Sequence, residues 1–256
     1  MFERRLSTRE ALILPVLGAA SLLAAWQWLV PVLGVPAYIV PTPASVVGAF
    51  AREWPFLLSN AVPSWIEAIL GFLLGNALGV IMAIVFVYSP RVRAAYFPVV
   101  LLFNTIPVLA LAPIIILIFG LGMLPKVIIA ALLCFFPTLV NTARGLNLAT
   151  PNELELMHVL SATGRETFWR LRAPRAAPLL FASLRISATT CVIGAIVGEW
   201  IGSDRGLGAV IIQSTFNYQA ERLFAAVFLA ALSGIAFFAG VVVVERVFAR
   251  LQPHRG

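Results

Sequence analysis

Long apolar runs alternate with short polar breaks along the chain, and most of the charge sits in the breaks. The first run, Ala11–Val35, follows a charged leader, MFERRLSTRE, and is long enough to cross about 30 Å of hydrocarbon as a helix. It lacks the short apolar core and small-residue cleavage site of a secretory signal, so an uncleaved span is predicted. Pro36, Pro41, Pro43 and Pro55 break up Pro36–Asn60. That stretch predicts an extended lead-in and then a short amphipathic helix at the membrane interface, capped at Thr42 or Ser45. Five more spans are predicted over Val62–Tyr88, Phe97–Phe119, Val127–Asn141, Leu179–Ile201 and Leu223–Val244. Ser89–Tyr96 and Gly120–Lys126 read as turns, and Ala209–Tyr218 as a short amphipathic piece before the last span.

Within the runs a few residues depart from plain oil. Gly71, Gly75 and Gly79 recur every four residues, with Ala83 extending the stripe, so another helix can approach that face closely. Pro107 and Pro113 interrupt the third run and free backbone carbonyls that a neighbour or a cavity must satisfy. Glu67, Arg185 and Glu199 fall inside spans, where ionisable groups cost a few kcal/mol each and are functional candidates by default. Arg185 is placed to snorkel toward the near interface.

One long polar segment remains, Glu153–Pro178 with Asn152 before it, carrying Arg165, Arg170, Arg172, Arg175, Glu153, Glu155 and Glu166. Composition agrees that the bilayer is the solvent for the rest. Of the 256 residues 61% are hydrophobic and 11% charged, against about 25% charged in a globular domain. The net charge of +7 comes from scattered loop residues rather than a basic domain, which argues against nucleic acid as a partner. With the N-terminus inside, the cytoplasmic positive residues are Arg4, Arg5, Arg9, Arg91, Arg93, Arg144, Arg165, Arg170, Arg172, Arg175, Arg246, Arg250 and Arg255. Arg52, Lys126, Arg205 and Arg222 fall outside, so the count is thirteen against four. The positive-inside rule then places both termini and the polar segment in the cytoplasm.

Catalytic signatures are missing. There is no GxxxxGK[ST] loop, HExxH, GxSxG or CxxC, and no regular Arg series of a voltage sensor. Cys134 and Cys191 lie in apolar runs and read as small buried side chains, while His158 and His254 have no ligand spacing, so no catalytic or metal site is assigned. Uphill transport by such a chain would draw its energy from a partner or an ion gradient.

The polar segment resembles the cytoplasmic EAA loop of binding-protein-dependent ABC importer permeases. That pattern is Glu-Ala-Ala, three residues, Gly, nine residues, Ile, one residue, Leu-Pro. Here the frame runs Glu155-Leu156-Met157, then His158 to Leu160, Ser161, nine residues to Leu171, Arg172, and Ala173-Pro174. Ser161 stands where the pattern has Gly, with Gly164 three residues on. Asn104–Gly122, Phe135–Leu146 and Val197–Ile211 look like the matching stretches of nitrate/sulfonate/taurine-type permeases, a group that also includes thiamine-precursor pyrimidine permeases. The resemblance spans about residues 36–250.

The resemblance implies an all-α fold of the type I importer permease class, with six spans in a single domain over residues 1–256 and a cytoplasmic loop at 142–178. It implies two short helices, Asn152–Ala162 and Arg165–Leu171, broken near Thr163-Gly164. Thr150 caps the first, with Pro151 and Glu153 in its first turn. Glu153, Glu155, Leu156, Met157, Leu160, Ser161, Gly164, Leu171 and Pro174 are the implied contacts to a cytoplasmic ABC ATPase dimer, which holds the ATP and Mg; this chain carries no cofactor. A homodimer of permeases, membrane lipid and an extracytoplasmic substrate-binding protein complete the partner set, in the bacterial inner membrane. Glu67, Asn104, Pro107, Arg185 and Glu199 are the translocation-path candidates. A secondary transporter or channel driven by an ion gradient is the competing class. It predicts internal repeats and paired midplane carboxylates, and a membrane-embedded enzyme predicts a convergent polar site. None of these is visible in the sequence.

Overall fold

The computed structural model describes residues 8–251, with side chains over 13–250. Residues 1–7 of the charged leader and the tail after Leu251, with Arg4, Arg5, Arg255 and His254, lie outside the described residues. Within them the chain is all helix. The order is α1 (Thr8–Val32), α2 (Pro43–Arg52), α3 (Trp54–Tyr88), α4 (Pro90–Thr105), α5 (Val108–Phe119), α6 (Met123–Leu146), α7 (Pro151–Val159), α8 (Gly164–Thr167), a π-helical turn (Phe168–Arg172), α9 (Ala173–Glu199), α10 (Leu207–Phe216) and α11 (Ala220–Leu251). Among the described residues five helices are long and apolar enough to cross a membrane, or six if α4 and α5 count as one bent span.

Several boundaries differ from the apolar pattern, each for a local reason. Thr42 caps α2 as expected, accepting from the Ser45 N–H at 3.3 Å. After Glu53, α3 starts at Trp54 rather than Val62, because Pro55 falls in the first turn, where a missing N–H costs nothing. Ser89–Tyr96 is not a turn: Ser89 caps α4, with Pro90 at its first position. The third run is not one straight helix. It bends by 103° between α4 and α5, where Pro107 removes a donor and holds Ile106 extended at φ −75°, ψ 126°. Pro113, by contrast, is carried inside α5.

The fourth span is longer than Val127–Asn141, since Thr142, Gly145 and Leu146 stay buried and keep the helix packed. On the far side of the polar segment, helix runs unbroken from Gly164 through the π turn to Glu199. Pro174 explains the wider turn. Its ring and missing N–H disturb the usual ladder, and Ala173 donates instead to the Phe168 carbonyl, five residues back. The predicted loop 142–178 therefore shrinks to irregular backbone on either side of α7. The amphipathic piece is α10, two residues early at each end, and the last span is extended at both ends as α11.

The chain divides into two compact units. In the first, Met1–Leu58 with Val210–Phe228, Trp26 stacks on Phe228 at 6.3 Å and the Gln27 side chain accepts the Ala44 N–H at 3.1 Å. Glu53 holds Arg222 through two contacts, at 2.5 and 3.1 Å, and Tyr38 meets Tyr218 edge-on.

In the second unit, Ser59–Ala209 with Leu229–Gly256, α6 is packed on two sides. The expected glycine stripe is the reason on one side: a Cβ at Gly71 would collide with Ala130, one at Gly75 with the Ala131 backbone, and one at Gly79 would lie 2.8 Å from the Phe135 carbonyl. On the other side Gly194 and Gly198 of α9 press the same way on Ala130 and Lys126, and Gly145 of α6 on Ala176. A polar chain stitches the three helices at mid-height. The Thr138 hydroxyl donates to Asn76 Oδ1 at 2.5 Å and lies 3.4 Å from Ser187 Oγ.

Adding bulk to this contact should be costly. Gly75→Val is expected to destabilise the protein by about 1–3 kcal/mol, as overpacking does. Gly234, whose Cβ would meet open space, is the control. Gly234→Ala should leave the melting curve of the detergent-solubilised protein unmoved, while Gly75→Val lowers it.

Candidate functional site

Between α6 and α9 the chain builds a small, heavily tied loop. Thr150 starts α7 with a capping box: its N–H and its hydroxyl both donate to Glu153 Oε2 at 2.9 Å. The other Glu153 oxygen is held by Arg175. The Thr150 N–H bond, then the Thr150 hydroxyl and the nearby Arg175 charge, hold the Glu153 carboxyl below the usual carboxylate range. Arg175 also donates to the Leu148 carbonyl at 3.4 Å, and Arg172 to the Leu146 carbonyl at 2.9 Å, which satisfies the open C-terminus of α6. Arg172 further lies over the Tyr88 ring at 5.8 Å, tying the loop to the end of α3.

The turn after α7 differs from the expected one. α7 ends at Val159, and the N–H groups of Ser161 and Ala162 return to the His158 and Met157 carbonyls, both at 2.9 Å. Ser161 itself takes the left-handed conformation, φ 55°, that a glycine adopts freely. Gly164 does not substitute for it. It is the first residue of α8, whose cap is a second box: the Thr163 N–H donates to Glu166 and the Glu166 N–H to Thr163 Oγ1. The predicted second helix, Arg165–Leu171, is the beginning of the α9 rod rather than a separate piece.

α7 presents a bare face. Glu155 is exposed, and beside it Leu156, Val159 and Leu160 are exposed by 57%, 73% and 66%. Met157, Leu171 and Pro174 are half-buried and belong to the fastening side.

Of the five path candidates, two come together. Asn104 and Pro107 line a cavity of about 400 Å³ at the α4–α5 break, with Phe103 and Leu111 on one wall and Leu132 and Phe136 of α6 on the other. Arg185 is elsewhere, paired with Glu245 of α11 at 3.6 Å rather than snorkelling free. Glu67 and Glu199 are also away from that cavity, and both are buried. Lys126, which the sequence places in an outside turn, lies on α6 and donates from one Nζ to Glu67 Oε1 and to Ser203 Oγ, each at 2.9 Å. Glu199 accepts from the Ser64 hydroxyl and from the Gly208 N–H, each at 2.6 Å. Ser64 Oγ in turn accepts the Leu207 N–H at 2.8 Å, and Asn60 Oδ1 the Gly206 N–H at 3.1 Å. Sequence reasoning missed Asn60, Ser64, Lys126 and Ser203. A signal existed for the first two: Asn60, Ser64 and Glu67 fall at intervals of four and three, on one helix face.

Residues 75–255 match the family described as "Binding-protein-dependent transport system inner membrane component". The chain is similar to the formylaminopyrimidine transport permease protein ThiX of Halalkalibacterium halodurans, with 34% identity covering 91% of this chain and 93% of that one. It is also similar to the putative aliphatic sulfonates transport permease protein SsuC of Bacillus subtilis, at 29% identity over 91% and 83% of the two chains. In fold it is similar to a chain of the MetNI methionine ABC transporter in an inward facing conformation. There the TM-score is 0.58 at 18% identity, covering 78% of this chain and 95% of that one.

Two outcomes are expected at the loop. Ser161→Gly should relieve about 1 kcal/mol of left-handed strain and slow amide exchange at Ser161 and Ala162, whereas Ser161→Val should speed it. Because Glu153 is held below its unfolded range, its cap is fully formed above that range and is lost as pH falls through the lowered value. After correction for intrinsic rates, exchange of the first-turn amides of α7 should therefore accelerate on acidification. Glu153→Gln should abolish that dependence.

Proposed function

The chain belongs to the family of binding-protein-dependent transport system inner membrane components, and from that premise we propose how it works as the permease subunit of an ATP-driven importer. It is a multi-pass, non-catalytic transport subunit. One permease domain over residues 1–256 forms half of a homodimeric path, embedded in membrane lipid with both termini cytoplasmic. An extracytoplasmic binding protein delivers the solute, a sulfonate, nitrate or taurine type or a thiamine-precursor pyrimidine type. A cytoplasmic ATPase dimer holds ATP and Mg and supplies the energy.

The observation that carries this reading is α7, a helix capped and fastened at its base that leaves an apolar and acidic face exposed. Such a helix can lie in a groove of a soluble partner. Glu155, Leu156 and Leu160 are the contacts we assign to the ATPase. Glu153, Ser161, Gly164, Leu171 and Pro174 shape the helix and its exit. When the ATPases close, force on α7 passes through the Glu153–Arg175 pair and the Arg172–Leu146 bond into α9 and α6. Those two helices move together because their backbones touch at glycine. The solute path runs by the α4–α5 break, where the Asn104 amide offers a polar group in an apolar wall. Glu67, Glu199 and Arg185 serve the scaffold, not the path.

Glu155→Lys should break the contact with the ATPase and lower solute uptake in vesicles by about tenfold or more, as charge reversal at a docked contact does. Affinity capture of the solubilised permease should co-purify an ATPase from wild type and little from Glu155→Lys. Capture and uptake both unaffected by the variant would remove α7 from the coupling role.

A further inference from the structure

The cavity at the α4–α5 break has a lining whose chemistry selects among the solutes left open above. Its volume, about 400 Å³, falls in the range of pockets that hold small molecules. Asn104, Thr105 and Pro107 sit at the 103° bend, with Phe103, Phe135 and Phe136 on the walls. None of the residues lining the cavity is charged. The cations on the two helices that form it are engaged elsewhere. Arg93 lies over the Phe97 ring at 5.9 Å, and at the rise of an α-helix it stands about 16 Å along α4 from Asn104. Lys126 of α6 donates to Glu67 and Ser203.

The backbone at the break is balanced as well. The carbonyl end of α4 meets the N–H end of α5 there, so two opposite helix dipoles offset each other. Pro107 brings no N–H, and its carbonyl takes those of Ala110 and Leu111 at 2.8 and 3.3 Å, which leaves little for an anion. Thr105 spends its hydroxyl on the Leu102 carbonyl at 2.7 Å. Asn104 is exposed, with its amide left to meet a solute. An ionised sulfonate or nitrate entering this cavity exchanges water for phenyl rings and one amide, and an ion without a partner is the costliest occupant of such a site. A neutral planar ring fits the same lining. Its faces pack on the Phe rings, stacked or edge-on. An edge with a donor beside an acceptor pairs with both ends of an Asn amide, as the adenine edge does.

We propose that the α4–α5 break is a charge filter, with Asn104 as its specificity-determining residue. It passes a neutral planar nitrogen heterocycle with a donor–acceptor edge and refuses sulfonates and nitrate. The inference rests on the reading of this break as the solute path. It places part of the choice of solute in the permease itself rather than wholly in the binding protein.

The test is thiol labelling of the full-length protein in lipid nanodiscs, with Thr105→Cys as the reporter. Wild type, whose Cys134 and Cys191 are buried, is the blank. A small hydrophilic maleimide should modify the reporter. Cytosine should slow that reaction about fivefold or more near saturation. Dimethyluracil, a similar ring without an N–H, should slow it less, and methanesulfonate should leave it unchanged. Adding Asn104→Leu should remove the protection by cytosine. Adding Asn104→Arg should transfer protection to methanesulfonate, a gain that a misfolded variant would not show. A reporter that reacts but is protected equally by methanesulfonate, or by neither probe, overturns the filter and leaves the path reading standing. A reporter that stays unreactive in protein with the wild-type melting curve, as it would beneath a second copy of the chain, removes the break from the path and the filter with it.

Discussion

Backbone-to-backbone contact at α6 is the constraint on which the rest of the second unit depends. α3 reaches α6 through Gly71, Gly75 and Gly79, and α9 reaches it through Gly194 and Gly198. In a bilayer the lipid is as apolar as the side chains, so apolar burial gives helices little reason to associate. What remains is close packing and a few interhelical hydrogen bonds. The glycines bring the helices near enough for the Asn76–Thr138–Ser187 chain and the Lys126–Glu67 pair to form. Small residues therefore fill the closest contacts, with Ala130, Ala131 and Ala195 buried there, while larger side chains such as Ile129 and Leu139 pack around them.

That rigidity gives the polar loop something to act on. α7 is short, and a helix of its length is marginal alone in water. It is held at its base by the Thr150–Glu153 box and by Arg175, and Arg172 takes the Leu146 carbonyl at the end of α6 while Arg175 takes that of Leu148 just beyond it. The arginines that look like a solvated cationic stretch in the sequence are thus largely structural. The same loop keeps a strained residue, Ser161, at its exit. Strain of this kind persists where the flanking structure over-determines the turn, and two capped helices do so here.

At the site of Glu67 and Glu199 the balance is different. There the helices do not merely touch but bury charge, Glu67 against the Lys126 ammonium and Glu199 against the Ser64 hydroxyl and the Gly208 N–H. Lys126 changes meaning in that light. In sequence it marks a turn; in the fold its single ammonium reaches α3 and the segment after α9 at once.

Much was legible in the sequence because it is local. Apolar length located the spans, the spacing of Gly71, Gly75 and Gly79 marked a packing face, and Thr150 with Pro151 and Glu153 announced a helix start. The Glu155-to-Pro174 spacing carried the family resemblance. Other features were decided by partners distant in sequence. Pro107 and Pro113 look alike along the chain, yet only the first breaks the helix. Ser161 took the left-handed turn instead of Gly164, since the α7 cap bonds fall at that residue. Glu67, Lys126 and Glu199 read as three isolated charges, and only packing gave Lys126 to Glu67 and set Ser64 and the Gly208 N–H against Glu199. Sequence determines what each helix can bury, but which charges meet depends on how closely the helices approach, and that distance exists only in the assembled fold.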